Sequence, residues 1–566
     1  MLPIKREKKT GKKIAGVVII IIILIVMIVF GIKITPNYIK QDSDNIKLVI
    51  NYSDVTNYLK ADVYKDENGT IYLSKEDLAN FYDEFIYYDE QYNQIVTTSN
   101  DKISVMQLNS NKKEVNGQEL DMQNKILEKD NKYFIPFSEV ASIYNVQMSF
   151  IEETNTVVLD SIDRELKQVN TTEDVNIKYK STIFSKTIEK IKRDESLIIV
   201  PLTDEQKNLI PSDWLKVRTP KGNLGYVQSK YIANEKIVRE AKKKEKQIEG
   251  KVSLVWDYFS EYATAPDRQG ETIEGINVVS PSFFALEKLG QGNLLENVGT
   301  DGKNYIKWAH NNGYKVWPII SNNSMKETTS EIMKDYELRK TLINQIITYV
   351  KKYNLDGVNI DFEYMNEEDK ALFSRFIIEL TPRIKELGKT VSVDVTAPDG
   401  SPDWSLCFDR YTLGKVVDYM MFMAYDEYGA SSPQEGTTAG GDWVRTNINK
   451  FLKQEEVPKE KLVLGIPFYT RLWKEKDGKI ESTIVSMKKV DSVLPENVSK
   501  EWNETLKQNY VEYEKDGAIY KMWIEDEASI KEKLALINEF ELAGGCYWVK
   551  DFETEGIWKV IKDALK

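Results

Sequence analysis

From residue 251 to residue 566, short apolar runs alternate with longer stretches in which apolar residues recur every three or four positions. VSLVWDY, INVVSPSFFAL, KVWPIIS, GVNIDFEY, TVSVDVTAP, VDYMMFMAYD, LVLGIPFYT and GGCYWVKDF read as buried strands. YELRKTLINQIITYVKKYN and EEDKALFSRFIIELTPRIKELG read as amphipathic helices between them. Eight strands in that alternation predict a (β/α)8 TIM barrel, a fold that assembles its site from polar residues at the C-terminal strand ends. A doubly wound open sheet is the structural alternative, but no Gly-rich phosphate turn follows the first strand. Residues 472–522 interrupt the last strand pair and predict a small inserted lobe walling one side of a cleft.

Ahead of the barrel the period changes. Residues 46–160 carry short β-branched and aromatic runs (KLVINY, TIYLS, FIYYD, QIVTTS, VVLD) divided by Asn, Asp and Gly, which predict a small α+β module. Ser74, followed by Asp77, and Ser138 stand where helix N-caps are expected. Residues 172–237 again read as β, with Trp214 and Tyr226 as core or rim aromatics of a small barrel. Residues 238–250 form a charged linker without apolar periodicity.

The N-terminus differs from all of this. A Lys- and Arg-rich segment, residues 1–13, precedes IAGVVIIIIILIVMIVFGI at 14–32, which as a helix would reach about 28 Å. That predicts a single-pass membrane helix with the basic flank cytoplasmic and the remaining domains extracellular, facing the cell wall. A cleaved signal peptide would have a shorter apolar run and a small-residue cleavage site, which GIKITPNYIK does not offer.

Composition narrows the chemistry. A net charge of -12 over 566 residues excludes a nucleic-acid scaffold. Cys407 and Cys546 alone make no disulfide framework, and His310, the single histidine, excludes a His-rich metal site and disfavours a Ser-His-Asp triad. Acid–base work therefore falls to carboxylates, Tyr or Lys. In LDGVNIDFEY, residues 355–364, Asn359, Asp361 and Glu363 share one strand face while Val358, Ile360 and Phe362 face the helices. Glu363 lies nearest the C-terminal rim, with Asp361 one layer deeper. Two acids about 6 to 7 Å apart disfavour joint ionisation, so Glu363 can stay protonated as a general acid.

DGVNIDFE closely resembles the DxxDxDxE signature of glycoside hydrolase family 18, the chitinase-like TIM barrels. Asp356, Asp361 and Glu363 match its acids, and Asn359 departs where the pattern has Asp. The Asn form is familiar in the spore-cortex-lytic, peptidoglycan-directed branch; an amide there can orient Asp361 but cannot take a charge. MFMAYDEY resembles the family's MxYD strand, bringing in Met423, Tyr425 and Asp426. GIPFYTRLW, with Tyr469 and Arg471, resembles its seventh-strand ending and GGCYWVKDF, with Trp548, its eighth; VWDYF, with Trp256, lies where the first ends. The resemblance implies substrate-assisted retaining hydrolysis, in which the substrate's 2-acetamido oxygen attacks the anomeric carbon. Glu363 would then be general acid and base, Asp361 would orient the acetamido group, Tyr425 would donate to its carbonyl, and Trp548 would floor the sugar. Asp426, Met423, Asn359, Asp356, Tyr469, Arg471 and Trp256 would complete the binding shell, with no metal and no cofactor. The implied partner is peptidoglycan or another N-acetylglucosamine polymer such as chitin, and a monomer is expected. A non-catalytic glycan-binding barrel is the rival, and the retained Glu363 speaks against it. Residues 46–160 resemble the copper amine oxidase N-terminal domain, without metal ligands, and 172–237 a bacterial SH3-type domain.

Overall fold

The chain separates into two compact units, described in a computed structural model over residues 45–242, 247–288 and 290–565. Among the described residues no helix is long and apolar enough to cross a membrane; the span expected at 14–32 lies outside them.

In the first unit, Lys47–Ile50 pairs in parallel with Thr156–Ser161, and Leu48, Leu78, Ile95, Phe137 and Leu159 fill one core. Ser74 caps the helix Lys75–Phe81, its side chain accepting from Asp77 N. Ser138 instead lies inside the four-residue helix Phe137–Val140, which follows Pro136 without a side-chain cap. The second module is a seven-stranded sheet whose first strand, Leu166–Thr171, precedes the expected start at 172 and pairs with the last, Ile232–Arg239. Val169 is that first strand's one fully buried aliphatic, too weak a pattern to read from sequence. Arg218 joins the two modules through a fork of hydrogen bonds to both Asp160 oxygens, 2.7 and 2.6 Å long.

The second unit is the barrel. Its strands are β1 (Val252–Asp257), β2 (Val278–Pro281), β3 (Lys315–Val316 continued by Ile319–Ser321), β4 (Gly357–Asp361), β5 (Thr390–Val395), β6 (Tyr419–Phe422), β7 (Leu462–Pro467) and β8 (Gly544–Trp548). All pair in parallel in chain order, and β8 pairs with both β7 and β1, so the ring closes and the open-sheet alternative falls. Pro318, which has no N–H, splits β3, and the ladder is carried across by Trp317 N donating to Val279 O and Asn359 N to Pro318 O.

Period-two alternation sorts the strand residues into two cores. Val255, Val279, Val358, Ile360, Val393, Phe422 and Leu464 face the helices, whereas Leu254, Val278, Trp317, Ile319, Met421, Val463 and Cys546 fill the interior. Each large apolar side chain buried this way stabilises by about 1.5–3 kcal/mol. Trp317 needs Gly357 beside it, because a Cβ there would stand 2.7 Å from the indole Cδ1 and 2.6 Å from Thr390 O. Two helices flanking β4, Tyr336–Lys352 and Lys370–Lys385, are tied by a buried fork: Arg339 donates Nε and Nη2 to Glu379 at 2.8 and 3.0 Å. The inserted lobe is a five-stranded antiparallel sheet from Tyr469–Lys476 to Ala518–Ile524, starting three residues before the expected boundary.

Candidate active site

The inner face of β4 runs from Asn359 to Asp361 and continues past the strand end to Glu363. Asn359 is fully buried, donating Nδ2 to Asp394 Oδ2 on β5 at 2.6 Å and accepting from Ser392 Oγ at 2.7 Å. The Oδ1 atom of Asp361 is buried and has no hydrogen-bond partner among the described residues. Glu363 is placed by its backbone. Asn322, at the end of β3, accepts from Glu363 N at 3.0 Å and donates to Glu363 O at 2.9 Å. On the outer face Phe362 stacks on Phe376, ring centroids 5.7 Å apart.

Beyond Glu363 the backbone turns left-handed, with φ of 53° at Tyr364, an uncommon conformation for a bulky residue and one that clusters at functional sites. Tyr364 is half exposed and packs at 4.9 Å on Trp404, an aromatic pair that follows the acid in the chain.

The same device follows β6. Met423 and Tyr425 continue the inward positions begun by Met421, and Asp426, with φ of 56°, leaves the alternation. Its Oδ1 accepts from Tyr469 OH at 2.8 Å and from Arg471 Nη2 at 3.2 Å. The rings of Tyr425 and Tyr469 meet edge to face at 6.2 Å. At the end of β8, Trp548 is partly exposed, lying 5.9 Å from Trp256 beneath it and 5.8 Å from Tyr258 beside it.

Asp356 is not brought to this cleft. It lies before β4 begins, accepting from His310 Nε2 at 2.8 Å, Lys315 Nζ at 3.2 Å and Val316 N at 3.1 Å. At about 3.3 Å per residue it stands about 23 Å along the strand from Glu363. Although burial opposes it, His310, the Val316 N–H and Lys315 hold its carboxyl below the usual range. It locks the closed end of the barrel.

The electrostatics single out the rim. Burial pushes the Glu363 carboxyl well above its ordinary value, and the charges of Asp361 and Asp426 push it further. Burial raises Asp361 to about 7, and raises Asp394 well above its ordinary value, with Asp361 adding to the shift. Burial keeps Tyr425 a phenol, able to donate. A carboxyl raised by burial at the rim of a barrel, two positions beyond a second acid on the same strand face, is suited to protonate a leaving oxygen. Sequence reasoning missed Asn322, Asp394, Ser392, Tyr364 and Trp404; polar residues ending PIISNN and lying within TVSVDV were the available signals.

The family model for glycosyl hydrolases family 18 matches residues 255–553, from within β1 to beyond β8. The chain belongs to this family. As a family 18 glycosidase it is 29% identical over 304 residues to the uncharacterized glycosylase YvbX of Bacillus subtilis, covering 51% of this chain and 85% of that one. It is 25% identical over 291 residues to the cortical fragment-lytic enzyme of the same organism, covering 50% and 67%. The spore cortex-lytic enzyme SleL of Bacillus megaterium shares its fold, with a TM-score of 0.50 and 19% identity over 59% of this chain and 77% of that one. The copper amine oxidase N-terminal domain matches residues 49–159 of the accessory unit.

Proposed function

We propose that this glycosidase is a membrane-anchored, outward-facing hydrolase of peptidoglycan that cleaves beside N-acetylglucosamine by substrate-assisted retention. The observation that carries the reading is the place of Glu363 at the rim above Asp361, its carboxyl raised by burial and by the charges of Asp361 and Asp426. Glu363 protonates the glycosidic oxygen as the substrate's acetamido oxygen attacks the anomeric carbon, then deprotonates the water that opens the ring intermediate. Asp361 orients the acetamido N–H and opposes the positive charge of that intermediate. The Tyr425 hydroxyl donates to the acetamido carbonyl and holds the near-attack geometry. Trp548 lies under the sugar, with Asp426, Tyr469 and Arg471 as a polar wall.

Peptidoglycan is favoured over chitin by the similarity to a cortical fragment-lytic enzyme and by the accessory unit. The order of the seven-stranded sheet, with a 3-10 turn at Ser229–Tyr231 leading into a last strand paired with the first, supports an SH3-like reading of that module. The basic segment 1–13 and the apolar segment 14–32 support a single-pass anchor with these domains toward the wall.

The test is detergent-solubilised full chain incubated with purified peptidoglycan and, separately, with chitin, followed by mass spectrometry of new reducing ends. N-acetylglucosamine ends from peptidoglycan are expected with the parent and not with Glu363→Gln. Unchanged muropeptides would overturn the substrate, and equal cleavage by Glu363→Gln would overturn the acid.

A further inference from the structure

Asn359 leaves the inner face of β4 one carboxylate short of the DxxDxDxE pattern, yet a carboxylate lies at that depth on the neighbouring strand. Asn359 pairs with Ser392 and Ile360 with Val393, so the next positions on β4 and β5 are Asp361 and Asp394. Paired strands run about 4.8 Å apart. Ser392 and Asp394 turn inward, since both bond the Asn359 side chain from β5. Asp394 is only 2% exposed, and its Oδ1, like that of Asp361, is buried with no hydrogen-bond partner among the described residues. Two carboxylates at adjacent strand positions in a barrel interior, each with one buried oxygen that has no hydrogen-bond partner among the described residues, leave uncompensated charge unless one holds a proton for the other.

We propose that Asp394 is a positioning residue for the reaction: it shares one proton with Asp361 across the β4–β5 boundary and replaces the carboxylate that Asn359 lacks. The proposal rests on the reading of Asp361 as the orienting acid. With the proton on Asp394 Oδ1, Asp361 is the anion that faces the cationic intermediate. When that intermediate is discharged, the proton passes from Asp394 Oδ1 to Asp361 Oδ1, and Asp394 takes the charge under the Asn359 N–H. One O–H bond breaks and one forms, and the pair stays at a charge of −1 throughout. The groups acting on Asp394 are Asp361, Glu363 and Asn359 from β4 and Trp256 from β1, while Asp394 in turn acts on Tyr425 beyond β6 and Cys546 on β8. The Trp256 N–H favours the Asp394 anion without meeting the geometry of a hydrogen bond.

The test uses the full chain with Asp394→Asn, Asn359→Asp and the two combined, each checked for folding by its thermal transition. An amide at position 394 can still accept from Asn359 but cannot relay a proton. Asp394→Asn is expected to lower kcat about 100-fold with KM within about threefold of the parent. The acid limb of its kcat profile should move to higher pH, because the Asp361 anion loses the shared proton that stabilises it. The combined variant returns a carboxylate to β4 and should recover at least about tenfold in kcat. A folded Asp394→Asn with unchanged kcat and pH profile would overturn the proposal, as would a combined variant no faster than Asp394→Asn. If Asp394→Asn does not fold, Asn359→Asp alone reads the coupling: a shifted acid limb supports it and an unshifted one overturns it. Failure of the underlying reading is separate, since it would appear as parent-like kcat in Asp361→Asn.

Discussion

Asn322 holds both backbone polar groups of Glu363 at once, donating to its carbonyl at 2.9 Å and accepting its N–H at 3.0 Å. The amide is fully buried and also donates to Thr329 Oγ1 at 3.1 Å, so its own orientation is fixed. The height of the proton donor above the barrel is therefore set by β3 as much as by β4. Asn322→Ala is expected to lower kcat about 100-fold through misplacement of Glu363, with KM little changed. Stability should fall by about 1–3 kcal/mol for the polar groups left unpaired. Steady-state kinetics and urea unfolding of the same preparation check both.

Asp426, following β6, acts on the same acid: its charge favours the protonated Glu363. Asp426→Asn keeps an oxygen for Tyr469 and Arg471 but removes that charge. The Glu363 pKa then falls, and because the acid must be protonated to act, the alkaline limb of kcat/KM moves to lower pH. A pH–rate profile of parent and variant reads the shift; an unmoved limb would exclude Asp426 from proton handling.

Asp361 burdens the fold. Its folded pKa of about 7 lies above the unfolded value of about 3.9. Below about pH 4 both states are protonated and the group makes no difference; as pH rises toward the folded value, the unfolded state ionises first and stability falls. Asp361→Asn is expected to melt at a higher temperature than the parent near pH 7.5, with the gap closing near pH 4. Thermal unfolding at the two pH values checks the sign.

The Arg339–Glu379 fork between the helices flanking β4 is fully buried on both sides. Arg339→Leu removes the fork from a fully buried Glu379 and should cost about 3–5 kcal/mol, whereas replacing both residues with Leu should recover most of the loss. A double-mutant cycle by denaturant unfolding measures it.

Much of the barrel was legible because its strands are buried on both faces and read as unbroken apolar runs between amphipathic helices. Spacing along one strand also placed Asn359, Asp361 and Glu363 on one face. Spacing cannot reveal what stands beside them on the next strand, which is why Asn322 and Asp394 escaped: each meets the site through lateral register. Asp356 misled for the complementary reason. It belongs to the linear motif, but seven residues of extended chain carry it to the other end of the barrel, where His310 and Lys315 bind it. The turn of Asp426 toward Tyr469 and Arg471 depends on a left-handed backbone that no residue pattern announces.

The cluster of raised carboxyls at Asp361, Glu363 and Asp394 gives this barrel an evolutionary slope. Replacing any of them by its amide relieves the desolvation of a buried charge, so mutations that silence the site can also relieve the fold. Drift without use would run downhill toward a sturdier, silent barrel that still holds sugar. A chain carrying all three acids stands at the top of that slope.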